Sequence, residues 1–289
     1  MEYEGRVFRP PSEAYSLIVQ ATIGCSHNQC TFCDMYKEKR FRIRRLEEVK
    51  SDFDLARAQY RRVERIFLAD GDALMCRADH LAELLQYIRT LFPECERVTS
   101  YGSPKSILVK TPEELRMLHE LGLEMVYLGL ESGSDEVLRR VNKGETAAEI
   151  IRAGQMVRNA GMKLSVTAIA GLGSTELSEE HAVQTARALS EMRPEYIGLL
   201  TLLFELPTPL MQDWQEGRFY LMNPVEIAAE TLILLENIDS EGSVFRANHA
   251  SNYVNLAGTL NRDREAMCAR LRAALDGKVH FRSEAFRAR

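Results

Sequence analysis

Six short, mainly apolar segments, the first five each followed by a stretch of helical spacing, dominate this 289-residue chain. Residues 16–23, 65–69, 97–101, 124–130, 163–170 and 195–203 predict buried strands. Between them, 46–63 places apolar residues at helical spacing among charges, and 78–92 is a helix stopped by Pro93. Thr111, Pro112 and Glu114 form a capping box that opens the next helix. Further helices are predicted over 134–141, 146–160 and 178–192. Parallel strands need crossovers, and crossovers are right-handed, so strict alternation leaves few topologies. Six units are too few for a closed eightfold barrel. The pattern predicts an α/β fold: a partial (β/α)6 TIM-like barrel of parallel strands, with a doubly wound open sheet as the structural alternative. Chemically useful residues follow every strand, where a barrel carries its site, and this favours the barrel.

After residue 203 the rhythm changes. Asn223 and Pro224 open a helix to about 238, residues 243–256 read as polar loop or short strand, and 260–275 as a last helix. The expected organisation is a lead-in over 1–15, a core over 16–210, and a C-terminal α-rich extension over 211–289 that closes the barrel. With 45% apolar and 27% charged residues the chain is not a disordered one. A net charge of −5 argues against a nucleic-acid partner. The longest mainly apolar run, 197–204, is far short of the ~20 residues that cross a bilayer, so no membrane association is expected. The acidic start lacks the apolar core of a secretory signal, and a cytoplasmic location is the expectation.

Three of the six cysteines, Cys25, Cys30 and Cys33, fall within nine residues directly after the first strand, spaced C-x4-C-x2-C. Cys76, Cys95 and Cys268 are scattered. Three crowded thiolates with no fourth suit a metal centre with one open position. One reading is a four-iron cluster whose unique iron is open to a cofactor. A second is zinc held by the three cysteines and His27 in a non-redox module. A third is an open-sheet nucleotide-binding protein whose cysteines are incidental.

The motif, with aromatic Phe32 just before the third cysteine, resembles that of the radical S-adenosylmethionine (SAM) superfamily, in a variant with one extra residue between the first two cysteines. Along 16–208 the likeness continues. Asp70-Gly71-Asp72 stands where the family has a Gly-Gly-Glu-like turn that receives the methionine amino group. Glu131 and Ser132, in Gly129-Leu-Glu131-Ser132-Gly133, resemble the methionine or ribose contacts of the elongator-like and methylthiotransferase-like branches. Ala170 and Gly171, in 168–174, resemble the adenine-contacting segment, and Leu200 on the sixth strand would lie near the adenine. No second cysteine-rich cluster is visible, and no cobalamin-binding domain fits before Cys25, so the likeness is to an elongator-like, cobalamin-independent branch. It implies an enzyme that cleaves SAM reductively at a [4Fe-4S] cluster held by Cys25, Cys30 and Cys33. The resulting 5′-deoxyadenosyl radical would take hydrogen from a small substrate. A flavodoxin or ferredoxin would supply the electron.

Substrate contacts are read from position. Tyr101 and Lys105 end the third strand, and Asn248, His249 and Asn252 lie in a polar stretch of the extension. The basic run 37–45 reads as a solvated loop, or as a docking face for an anionic substrate or acidic electron donor. His80, His119, His181 and His280 read as ordinary surface residues.

Overall fold

The computed structural model describes residues 3–287. Its strands are β1 (Leu17–Gln20), β2 (Thr22–Ile23), β3 (Arg42–Ile43), β4 (Arg65–Ala69), β5 (Arg97–Tyr101), β6 (Leu123–Glu131), β7 (Lys163–Ala170), β8 (Tyr196–Thr201), β9 (Val244–Ala247) and β10 (Leu256–Thr259). The helices are α1 (Leu46–Gln59), α2 (Ala78–Leu91), α3 (Pro104–Leu108), α4 (Pro112–Glu120) and α5 (Asp135–Arg140), then α6 (Ala147–Asn159), α7 (Ser178–Met192), α8 (Pro209–Gln215), α9 (Pro224–Asn237) and α10 (Arg264–Leu275). Eight strands form one sheet in the order β1-β4-β5-β6-β7-β8-β9-β10. The registered pairs are parallel except β9 with β10. All six expected strand positions are strands, and the expected capping box at Thr111 and the cap at Asn223 both form.

Two differences matter. The first expected strand is interrupted at Ala21, whose amide donates to Ala69 O at 2.6 Å while its carbonyl accepts Arg44 N at 3.1 Å. Thr22–Ile23 then leaves the large sheet and pairs with Arg42–Ile43. Gly24 comes next at φ 75°, a left-handed conformation that favours glycine, and turns the chain into the cysteine segment. The extension, for its part, is not only helical: it adds β9 alongside β8, and β10 beside β9.

The chain clusters into two compact units. Unit 1 comprises 1–28, 35–128 and 152–164, and unit 2 comprises 29–34, 129–151 and 165–289. In unit 1, Phe67, Ala69, Met125 and Tyr127 form an apolar cluster with Val7, Ile18 and Tyr101 packed on it. Phe67 and Tyr101 meet edge to face at 5.1 Å. In unit 2, Val137, Val141, Leu172, Leu202 and Leu210 are joined by Phe32, Ile169 and Phe204. Alternation along β7 buries Leu164, Val166, Ala168 and Ala170 on one face. Burying a large aliphatic side chain such as Leu164 or Val166 contributes about 1.5–3 kcal/mol.

Candidate cofactor site

Parallel pairing of β1, β4 and β5 in unit 1 places the C-terminal turns of all three strands along one edge. Cys25 is half-buried there. A Cβ on Gly71 would come within 3.1 Å of the Cys25 Cβ and 2.7 Å of the Tyr36 ring. Only glycine fits beside that cysteine. Asn28, at φ 49°, donates from its side chain to Tyr36 O at 2.8 Å and so holds the loop.

The two acids flanking Gly71 are wholly buried and engaged by the protein. Asp70 accepts from Gln20 Nε2 at 3.0 Å, from Gly24 N at 2.9 Å and from Lys39 Nζ at 2.8 Å. Asp72 accepts from Ser103 N at 3.0 Å, from Ser103 Oγ at 2.8 Å and from Ser26 Oγ. The lone pairs of these carboxylates hold the cysteine loop and the start of α3. Most of the basic run is engaged as well. Lys39 is buried on Asp70, while Arg42, Arg44 and Arg45 pair with Glu4, Asp52 and Glu48. Tyr101 is packed between Phe67 and Tyr127, and Lys105 is exposed on α3.

Cys30, Phe32 and Cys33 belong to unit 2. Thr31 N donates to Val141 O at 2.9 Å, Leu210 N to Thr31 O at 3.0 Å, and Asn142 Nδ2 to Gln29 O at 3.2 Å. With Phe32 in the apolar cluster, these bonds pin the second half of the cysteine motif. Glu131 holds φ 62° and sits 3.2 Å from Lys143 Nζ, in a pair whose side chains are each only 12% exposed. Burial opposes the Lys143 charge, but Glu131, Cys30 and Glu145 outweigh it and hold the ammonium above the usual lysine range.

Ser132 is fully buried, with its Oγ 2.7 Å from His181 Nδ1. Gly171, at φ 85°, donates its amide to Glu230 at 2.7 Å. Ala170 is buried and Leu200, paired with Ile169, is half-buried. Asn252 is fixed to the end of β8, donating to Leu199 O at 2.9 Å and accepting from Thr201 Oγ1 at 2.9 Å. Asn248 is exposed. His249 accepts at Nδ1 from Ser251 N at 3.2 Å, and burial and then Arg282 lower its pKa.

The scattered cysteines are in environments that suppress reactivity. Burial pushes the Cys76 thiol up to about 12 and Cys95 up to about 11. Among the described residues no three of His, Cys, Asp and Glu are grouped to hold a metal ion, and the zinc site with His27 finds no support. A cubane makes a different demand, because its ligands sit on separate irons and do not converge on one. The half-buried thiols, the glycine beside Cys25, the anchored Phe32 and the cation near Cys30 fit a cluster-binding loop.

The signature of the radical SAM superfamily matches residues 19–189. The chain belongs to that superfamily. Its members use a [4Fe-4S] cluster and SAM. Among curated relatives, 4′-phospho-dehydrooxetanocin synthase of Priestia megaterium is 26% identical over 168 residues, covering 52% of this chain and 23% of the relative. The heme chaperone HemW of Bacillus subtilis is 20% identical over 182 residues, covering 62% and 47%. The chain thus spans less than half the length of either. Coproporphyrinogen III oxidase HemN of Escherichia coli, a radical SAM enzyme, has the same fold at a TM-score of 0.57 and 18% identity, over 76% of this chain and 52% of that one. This is the expected partial TIM-like barrel class. Among the described residues no helix is long and apolar enough to cross a membrane.

Sequence pattern gave no individual site role to Lys39, Lys143, His181 or Glu230. For two of them a signal existed. Glu230 lies on the face of α9 shared by Ile227 and Leu234, and His181 on the face of α7 shared by Thr185 and Ala188. His181, read as a surface residue, is buried because that face turns inward. Lys143 carried no such mark.

Proposed function

We propose that this chain is a radical SAM enzyme whose Cys25, Cys30 and Cys33 hold one [4Fe-4S] cluster. When bound, the cluster supplies an electron that breaks a carbon–sulfur bond of SAM to give a 5′-deoxyadenosyl radical, which takes hydrogen from a small-molecule substrate. The observation that carries this reading is the C-x4-C-x2-C motif, anchored by Phe32 and lying within the 19–189 match.

The chain's own residues bind and orient. Gly71, with no side chain, lets the turn pack closely against Cys25 and the Tyr36 ring. Because Asp70 and Asp72 are engaged elsewhere, the amino group of SAM is received by main-chain carbonyls at 70–72. Lys143 supplies a cation for the carboxylate of SAM, and Glu131 keeps that ammonium in place. Glu131 and the main chain at Ser132, whose hydroxyl is engaged by His181, take the ribose side, and Ala170, Gly171 and Leu200 line the adenine. Tyr101, Lys105, Asn248 and His249 are the substrate contacts of this reading. Asn252 holds the end of β8 so that His249 is presented. The electron donor is a flavodoxin or ferredoxin. With Lys39, Arg42, Arg44 and Arg45 paired internally, exposed Arg40 is the residue of the run that we assign to its acidic face.

Anaerobic reconstitution tests this directly. The wild type is expected to hold about four irons per chain and to release 5′-deoxyadenosine from SAM on reduction. Cys33→Ala is expected to lose the cluster's absorption and all 5′-deoxyadenosine. Full iron retention and turnover by that variant would sink the proposal.

A further inference from the structure

His181 and Glu230 are buried ionisable side chains that take no part in the proposed chemistry. His181 stands in the first turn of α7, and Glu230 in the middle of α9. The imidazole Nδ1 lies 2.7 Å from Ser132 Oγ, and Nε2 lies 3.7 Å from Glu230 Oε1. That same Oε1 accepts the Gly171 amide at 2.7 Å, and Oε2 accepts the Ser178 hydroxyl at 2.6 Å. Ser132 Oγ also accepts the Ser134 amide at 3.0 Å, and the Gly133 amide donates to Thr185 Oγ1 at 2.9 Å, one turn along α7.

A carboxylate on the buried face of a helix is costly unless its oxygens are satisfied. Here both are satisfied by the connection between β7 and α7. The charge also lies at the N-terminal end of α7, where the helix dipole favours it. A carboxylate near Nε2 favours the ring proton there, which leaves Nδ1 to accept the Ser132 hydroxyl. One imidazole and one carboxylate therefore join two segments that are far apart in sequence: Glu131-Ser132 after β6, and Ala170-Gly171 after β7. Glu131 holds a left-handed φ of 62°, which in a non-glycine residue needs outside support.

We propose that His181 and Glu230 are positioning residues, which fix the segments after β6 and β7 in the one arrangement that receives the nucleoside part of SAM. This rests on the proposed SAM site. Neither residue touches the ligand. Glu230 lies beyond the 19–189 match, so a helix of the C-terminal segment sets the geometry of segments inside that match.

The first test uses cluster-free protein and hydrogen exchange. Glu230→Gln keeps shape and removes charge, and His181→Asn keeps a polar group. Both are expected to speed exchange in 130–135 and 168–174 and to leave 65–69 unchanged. Unchanged exchange in the first two segments, or an equal rise in all three, would overturn the proposal. The second test measures SAM affinity of reconstituted protein by calorimetry. With iron content at the wild-type level, each variant is expected to bind SAM about tenfold more weakly, the scale at which removing a supporting hydrogen-bonded partner acts. Wild-type binding with equal affinity in the variants would overturn this proposal alone. No binding by the wild type would overturn the proposed SAM site and this proposal with it.

Discussion

The turn after β4 in unit 1 and the turn after β6 in unit 2 both carry carboxylates at positions that we propose as part of the SAM site, yet they use them differently. Asp70 and Asp72 are fully buried, and protein donors surround each carboxylate. Glu131 remains partly exposed and pairs with Lys143. The first turn is a structural clasp. The second keeps a charged pair that is partly open to solvent. Residue type at a motif position therefore does not tell which atom is offered. The surrounding donors decide that.

The sharpest way to break this contrast is to disrupt the clasp. Lys39→Met leaves Asp70 buried without its cation, and the loss of one partner of a buried pair costs about 3–5 kcal/mol. Urea denaturation of the cluster-free protein is expected to show that loss, with Lys39→Met/Asp70→Asn recovering much of it. A single variant no more damaging than Arg77→Ala, at an exposed pair, would show that the clasp is not structural.

A smaller effect probes the second turn. A Cβ at Gly129 would fall 2.1 Å from Glu131 Oε1 and 3.1 Å from Lys143 Nζ. Gly129→Ala is expected to push the Glu131 carboxylate off Lys143, toward the low end of the roughly 1–3 kcal/mol seen for overpacking. Because the obstacle is the end of a flexible side chain, adding Gly129→Ala to a Glu131→Ala background should cost little beyond the loss that Glu131→Ala itself brings. A Gly129→Ala penalty unchanged in that background would place the strain in the backbone instead.

The smallest effect lies after β9. Burial and then Arg282 lower the pKa of His249, with Glu205 opposing. The folded state thus disfavours the protonated ring, and the unfolded chain takes the proton first, near about 6.5. The stability it contributes is complete above that pH and falls away as pH drops through the lowered value. His249→Asn should flatten the acid limb of the stability–pH curve slightly. An unchanged limb would mean that the ring is as well solvated folded as unfolded.

Much of this molecule was legible in its residues. The six strands and most of the helices followed from periodicity and caps, since Thr111, Pro112 and Glu114 act within one turn of chain. The cysteine motif was legible for the same reason, as its ligands lie within nine residues. The break at Ala21 was not, because it depends on carbonyls and amides of Ala69 and Arg44 that are distant in sequence. Nor was the strand character of 256–259, which needs β9 as its partner.

Sequence by itself determined the alternation of strands and helices, the parallel sheet that such alternation demands, and the trio of soft ligands after the first strand. These are local properties, set by side-chain period and spacing. Only the tertiary structure decided that Asp70 faces Lys39, that Glu131 faces Lys143, and that Glu230 and His181 tie the turns after β6 and β7 together. Burying a charge is unfavourable until a partner meets it, and which partner arrives is set by packing between segments as much as 59 residues apart.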